Sequence, residues 1–381
     1  METKTKQRIA LSTFFFLSGL CFSTWASRIP TLKTTLDIND AELGSLLFTM
    51  PISSMIGLPI SGWLVSRFDS RLPLFVAFLL HGVFLFLIGL SNSIMFLVFS
   101  IFFFAFFMRI FNIAMNTQSL TLQKKYNKKI NGSFHGLWSM GGIAGVGFST
   151  LMIASGVSIQ IHMFIIACLT IITTTVTYRH LIVGDRAETG NKIQFGKPDS
   201  QILILGVLVL FAAICEGGMF DWSGVYFKEV IKVEIFTAGY LIFMTFMAIS
   251  RFVSDFIVNK IGMKPMYMIS SILITIGMSI AVIFPTFWAA MFGFSLVGLG
   301  TAAVVPMTFI LAGTSKKYSP GVSLSIVVTY AMIGILIGPV LIGYISHTIN
   351  LRASFVFLTL AGLAILPTSR YYFKKHGGLE L

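Results

Sequence analysis

A few ionisable and amide side chains sit inside long apolar runs, where each is costly unless it is paired or faces water. Arg109, Asn112 and Asn116 are spaced i, i+3, i+7 within the run 93–118, which places them on one helical face. A cation flanked by amides in that register can hold a polar or anionic group. The competing reading is an arginine that locks neighbouring helices through their backbone carbonyls. His135 shares a face with Ser139 and Gly142 in the next run. It is suited to taking up and releasing a proton near neutral pH, or to bonding a neighbouring helix in a purely structural role. The run 201–225 carries Glu216, Gly217, Gly218, Asp221 and Trp222. A regular helix separates Glu216 from Asp221 by about 140°, and the glycine pair between them predicts a loosened helix. Glu216 lies deep in its run and is the expected proton carrier, against a static ion pair or a direct solute contact. Asp221 lies nearer the end, where Arg28 at the close of the first run is its expected partner. Arg251 and Asp255 are spaced i, i+4, which predicts an ion pair along one helix.

The elements that must position these residues follow from composition. The chain has 381 residues, of which 56% are hydrophobic and 11% charged; soluble domains carry roughly 25% charged residues. That balance excludes a disordered protein, a nucleic-acid module and an ordinary soluble enzyme. Spanning a bilayer takes about 20 apolar residues, and twelve such runs fit: 9–28, 41–65, 72–91, 93–118, 132–154 and 159–179, then 201–225, 236–259, 265–285, 287–313, 320–345 and 353–373. The first begins behind Lys4, Lys6 and Arg8 and is too long for a signal-peptide core, so it is expected to remain as a span. The fold expected is an all-α polytopic membrane protein of twelve transmembrane helices in two pseudo-symmetric six-helix bundles, 1–181 and 201–381, joined by a polar linker at 182–200. Of the 27 Lys and Arg, 20 fall in segments on the side of the N-terminus and five on the other. By the positive-inside rule both termini are cytoplasmic, and the net charge of +13 is a topology signal rather than a nucleic-acid footprint. Cys21, Cys168 and Cys215 lie in apolar runs with the spacing of neither a disulfide framework nor a metal site. Trp25 and Trp222 fit an interfacial aromatic belt or a stacking platform for a sugar ring.

The two halves repeat. Gly62-Trp-Leu-Val-Ser66-Arg67-Phe-Asp69-Ser-Arg71 recurs as Asp255-Phe-Ile-Val-Asn259-Lys260-Ile-Gly262-Met-Lys264 at an offset of 193 residues, and Gly141/Gly145 recurs as Gly334/Gly338 at the same offset. Twelve spans, a central linker and a short basic loop after spans 2 and 8 resemble the major facilitator superfamily over essentially the whole chain. The loop signature of that family, Gly-x-x-x-Asp-Arg-x-Gly-Arg-Lys, is kept at Gly62, Arg67 and Arg71, with Ser66 at the Asp position and Asp69 at the Gly position. Its second copy keeps Lys260, Gly262 and Lys264, with Asn259 at the Asp position. A narrower resemblance, to the YbjJ-like branch of bacterial inner-membrane facilitators, rests on Trp25-Ala-Ser-Arg28-Ile-Pro30 with Ala41-Glu42-Leu-Gly44, on Met115-Asn116-Thr-Gln118, on Phe134-His135-Gly136 with Gly141-Gly142, and on Glu216-Gly-Gly-Met-Phe-Asp221-Trp222.

The resemblance implies a secondary active transporter that moves a small polar, sugar- or metabolite-like solute across the bacterial inner membrane by alternating access, with protons as the drive. Efflux of drugs or metabolites by proton antiport, an uncoupled facilitator and a membrane sensor remain alternatives. Gly334-x-x-x-Gly338-Pro339 resembles the antiporter signature of drug exporters but falls in span 11 rather than span 5, which weighs against efflux. Arg109, Asn112, Asn116, His135, Glu216 and Trp222 are the expected solute contacts, with Glu216 and Asp221 as proton sites. Arg28, Asp221, Arg251, Asp255, Arg67, Arg71 and Lys260 are the expected gating residues. No enzyme chemistry, metal or cofactor is expected, and the chain is expected to act as a monomer whose partners are a small solute, protons and the bilayer.

Overall fold

The computed structural model describes residues 3–126, 130–185, 199–315, 317–318 and 320–376, with the side chains at Asn131, Gly132, Asp255, Pro320 and Gly321 outside the described set. The secondary structure of the described residues is helical: α1 (Thr3–Thr35), α2 (Asp40–Leu47), α3 (Thr49–Phe68), α4 (Arg71–Gly89), α5 (Ile94–Gln123), α6 (Asn131–Ala154), α7 (Ile159–Thr177), α8 (Ser200–Glu229), α9 (Ala238–Ile261), α10 (Met263–Ile283), α11 (Phe287–Gly313), α12 (Pro320–Thr348) and α13 (Leu351–His376). Among the described residues, eleven helices are long and apolar enough to cross a bilayer, with α2 and α3 together making one of them. A shorter apolar stretch, Ala238–Ser254 in α9, completes a set of twelve. Side-chain oxygens start several helices by satisfying a free first-turn N–H: Ser93 accepts from Phe96 N–H at the head of α5, and Asp199 from Ile202 N–H at the head of α8. At α2 the cap is reciprocal, since Asn39 Oδ1 accepts from Glu42 N–H while Glu42 Oε2 accepts from Asn39 N–H.

The chain divides into two compact units, one of residues 1–37 and 49–192, the other of residues 38–48 and 193–381. In the first unit α1 lies against α6 along a seam of small residues. A Cβ on Gly141 would collide with the Phe16 carbonyl, and one on Gly145 would come within 2.6 Å of Leu20 O. Without a water-driven hydrophobic force inside a bilayer, such close backbone approach is what holds helix pairs together. The aromatic core of this unit gathers Phe14, Phe78, Phe104 and Phe111, all fully buried.

The second unit repeats the seam. A Cβ on Gly334 of α12 would lie 2.5 Å from Leu210 O of α8, and one on Gly338 would lie 3.3 Å from Ile214 O. Here too belongs α2, which rests on α12. Gly44 faces Gly343, where a Cβ would sit 3.2 Å from the opposing Cα. The Ser346 hydroxyl donates to Asp40, and the Ser45 and Tyr344 hydroxyls meet at 3.3 Å. α8 runs unbroken through Gly217 and Gly218, so the expectation of a loosened helix is not met. The two glycines instead admit Ile335 and Ile342 of α12 and Leu358 of α13.

The two copies of the basic loop share one backbone feature: Asp69 has φ +59° and Gly262 φ +85°. Asp69 stands where the signature has glycine, and aspartate is among the few side chains that tolerate the left-handed region. Around the first loop a polar network fastens the chain that leaves α7. Asp185 accepts from Ser70 N–H at 2.9 Å and from the Ser70 hydroxyl. Gln118 of α5 donates to Ser70 Oγ at 2.7 Å and to Ile182 O at 2.9 Å, and accepts from Ile182 N–H at 2.9 Å. Gly184 N–H donates to Asp69. The Asp185 carboxylate thereby sits at the first turn of α4, where the helix dipole favours negative charge.

Candidate functional site

Each unit has its own polar centre. In the second, Arg251 of α9 donates through Nη2 to Glu216 Oε1 of α8 at 3.0 Å, with side chains 32% and 19% exposed respectively. The residue four positions along the helix, Asp255, has no described side chain, so the expected Arg251–Asp255 pair lies outside the described residues. Glu216 is therefore joined to the neighbouring helix, one of the alternatives its position allowed. Asp221 lies half-buried further along α8. Trp222 is fully buried and Trp25 is 1% exposed, so neither belongs to an interfacial belt. The Trp25 ring lies 6.3 Å from the Phe104 ring of its own unit, and neither indole N–H meets an acceptor among the described residues.

In the first unit Arg109 is half-buried on α5, facing Gly57 of α3, where an added Cβ would sit 3.2 Å from Arg109 Cβ. The glycine makes room for the arginine stem. Asn112 and Asn116 are also half-buried, and Asn116 spends one amide proton on Asn112 O at 2.8 Å in its own helix. His135 is exposed on α6, with its ring edge-to-face against Phe15 at 5.4 Å.

Arg28 is 3% exposed and is held inside the first unit. Its Nε donates to His162 Nδ1 at 3.0 Å and its Nη2 to Val157 O at 2.9 Å. Because a guanidinium only donates, His162 Nδ1 accepts and the ring proton sits on Nε2. A pairing of Arg28 with Asp221 has to compete with these two bonds. Arg71 rests on the Tyr178 ring at 4.2 Å, Arg67 lies 5.8 Å from the Trp63 ring, and Lys260 is exposed near the end of α9. Among the described residues no three His, Cys, Asp or Glu gather as a metal set.

Two buried histidines stand outside the sequence-predicted set. His162 partners Arg28, and His81 of α4 donates from Nδ1 to Phe104 O at 3.0 Å while stacking on the Phe104 ring at 4.0 Å. Both lie inside apolar runs, so the rule that singled out Arg109 and Glu216 reaches them if neutral imidazoles are counted with the charges.

The sequence profile of the Major Facilitator Superfamily matches residues 11–314 and 242–378. The chain belongs to that superfamily. Relatives of this facilitator include an uncharacterised MFS-type transporter of Yersinia pestis, 30% identical over 96% of this chain and 95% of its own, and the membrane protein MosC of Rhizobium meliloti, 28% identical over 97% and 91%. Among solved structures, the fold of the nucleoside transporter NupG matches with a TM-score of 0.77 at 14% identity, covering 98% of this facilitator and all of that chain. A bacterial homologue of the human lysosomal transporter Spinster matches at 0.75, also at 14% identity, over 98% of each chain. The all-helical membrane fold read from the sequence is the superfamily's fold, and membrane transport is the work of the family it belongs to.

Proposed function

We propose that this facilitator is a proton-coupled secondary transporter of a small polar solute, working by alternating access in the bacterial inner membrane with both termini cytoplasmic. The observation that carries the reading is the Glu216–Arg251 ion pair between two membrane-spanning helices. A partly buried ion pair repays the desolvation of its charges only while both charges are present. A proton on Glu216 cancels one of them, which weakens its bond to Arg251 and changes what holds α8 to α9. That is how proton binding becomes a change of conformational preference. Asp221, on the same helix, is the second proton site of the proposal. Arg109, Asn112, Asn116 and His135 of the first unit supply donors and acceptors suited to hydroxyl, amide or carboxylate groups, and Glu216 and Trp222 of the second are the remaining proposed solute contacts. Arg28, Asp221, Arg251, Asp255, Arg67, Arg71 and Lys260 are the proposed gating residues. Because Arg28 is already bonded to His162, its gating role requires exchange of one partner for another.

The test is uptake into proteoliposomes under an imposed pH gradient, after a solute has been found by thermal stabilisation of the purified protein, which follows mass action. Sugars, nucleosides, amino acids, organic acids and lipophilic cationic drugs form the screen. Glu216→Gln is expected to keep downhill exchange of the solute and to lose uptake against its gradient. Intact uphill uptake by that variant overturns the proton assignment, and stabilisation confined to lipophilic cations overturns the polar solute.

A further inference from the structure

The first unit carries a groove of about 200 Å³ whose wall residues the transport reading leaves unused. Its walls come from three helices: Leu64 and Phe68 of α3, Leu72 and Val76 of α4, and Phe107 and Ile110 of α5. All of its lining residues are apolar, and Phe68, Leu72 and Val76 are 42%, 44% and 42% exposed while Ala77 and Ile110 are buried. Two arginines are each adjacent in sequence to a wall residue, Arg67 before Phe68 and Arg71 before Leu72. No carboxylate among the described residues pairs with either guanidinium. Arg67 lies 5.8 Å from the Trp63 ring and 5.9 Å from the Phe68 ring. Arg71 lies on the Tyr178 ring and gives its Nε to Tyr178 O at 3.3 Å. The acids nearest in sequence and network, Asp69 and Asp185, are turned to Gly184 and Ser70.

An apolar slot whose wall residues Phe68 and Leu72 each follow an arginine, neither of them paired with a carboxylate among the described residues, suits a molecule with a hydrocarbon tail and an anionic head. We propose that it binds one anionic glycerophospholipid of the surrounding leaflet, with an acyl chain against Phe68, Leu72 and Val76 and the phosphate between Arg67 and Arg71. Guanidinium is the side chain best shaped to grip phosphate oxygens in pairs, and basic pockets between transmembrane helices are where anionic head groups settle. A free inorganic anion could use the arginines but not the groove. A neutral lipid could use the groove but not the arginines. The arrangement uses both, and it pins a lipid across α3, α4 and α5 at the end of the unit where the Ser70–Asp185 network also lies.

The full-length protein, purified in a mild detergent, tests this by native mass spectrometry and thermal unfolding with phosphatidylglycerol, phosphatidylcholine or inorganic phosphate added. Phosphatidylglycerol is expected to remain bound and to raise the unfolding temperature, with phosphatidylcholine and phosphate each giving less than half the shift. The paired change Arg67→Gln with Arg71→Gln is expected to weaken phosphatidylglycerol at least tenfold, and Arg67→Lys with Arg71→Lys to weaken it less than the glutamine pair, keeping the charge without the paired grip. Val76→Trp fills the groove while leaving both charges, and is expected to weaken the same lipid by a similar factor. If the glutamine pair fails to fold, Arg67→Gln alone and Val76→Trp carry the test. Equal retention of phosphatidylcholine, an equal shift from inorganic phosphate, or phosphatidylglycerol binding within twofold of wild type in Val76→Trp overturns the proposal.

Discussion

The two units share a scaffold and differ in their electrostatics. In each, a glycine pair on one helix admits the backbone of another: Gly141 and Gly145 against Phe16 and Leu20, Gly334 and Gly338 against Leu210 and Ile214. Yet the buried arginine of the first unit is held by neutral acceptors, His162 Nδ1 and Val157 O, whereas the arginine of the second is held by a carboxylate. The first arrangement is a set of directional hydrogen bonds that needs one ring nitrogen bare. The second is a charge balance that a single proton can cancel. Duplication preserved how the helices fit together and left each half free to place its charges differently, which is why the proton proposal concentrates on the second unit.

The largest expected effect comes from the shared seam. Gly141→Ala places a methyl on the Phe16 carbonyl and is expected to reach or exceed the about 1–3 kcal/mol typical of overpacking. Gly334→Ala should cost less and Gly338→Ala least, in the order of the available space. Gly62, with nothing within 4 Å of its would-be Cβ, should accept alanine at no cost. Unfolding temperatures in detergent rank the four, and a Gly62→Ala loss equal to that of Gly141→Ala would break the seam argument.

The next effect separates the two arginines. Arg28→Lys cannot reproduce both bonds of the guanidinium and should cost about 1.5–3 kcal/mol, the range for hydrogen bonds to charged groups. Arg251→Lys keeps the charge that Glu216 needs and should cost less than half as much. Similar losses for the two lysine variants in the same unfolding assay would show that the units hold their cations alike. In third place comes a double-mutant cycle on Glu216→Gln and Arg251→Gln. Breaking a fully buried pair costs about 3–5 kcal/mol, and with Arg251 32% exposed each single change here should cost about 1–2 kcal/mol. The double variant should cost clearly less than the sum of the singles. The smallest effect is Asn39→Ala, which removes the cap of α2 and should cost about 1 kcal/mol, read as faster hydrogen exchange at the Leu43 amide than in wild type.

Helix positions and the repeat were legible because hydropathy and glycine spacing are local signals. The Asp69 and Gly262 loops match in backbone because both copies demand a residue that tolerates positive φ. Partners across helices were not legible. The i, i+4 rule names Asp255 for Arg251, a pair outside the described residues, but it has no means of naming Glu216 on another helix, since helix rotation decides which face meets which neighbour. The tryptophans were misplaced for the same reason. Of the strings behind the family resemblance, several do structural work: Arg28 anchors α1 to α7, Glu42 closes a cap, Gly44 admits α12, and Gln118 grips the chain after α7.

That grip also bears on where the gene can be cut. A first fragment ending after Asp185 carries its own closure, with Gln118, Ser70, Ile182 and Asp185 all on one polypeptide. A fragment ending at His180 leaves Gln118 and Ser70 facing vacant bonds. Split reporters and co-expressed halves built on this facilitator should therefore be divided beyond residue 185, and the few residues before it belong with the first half even though their sequence reads as the start of a connector.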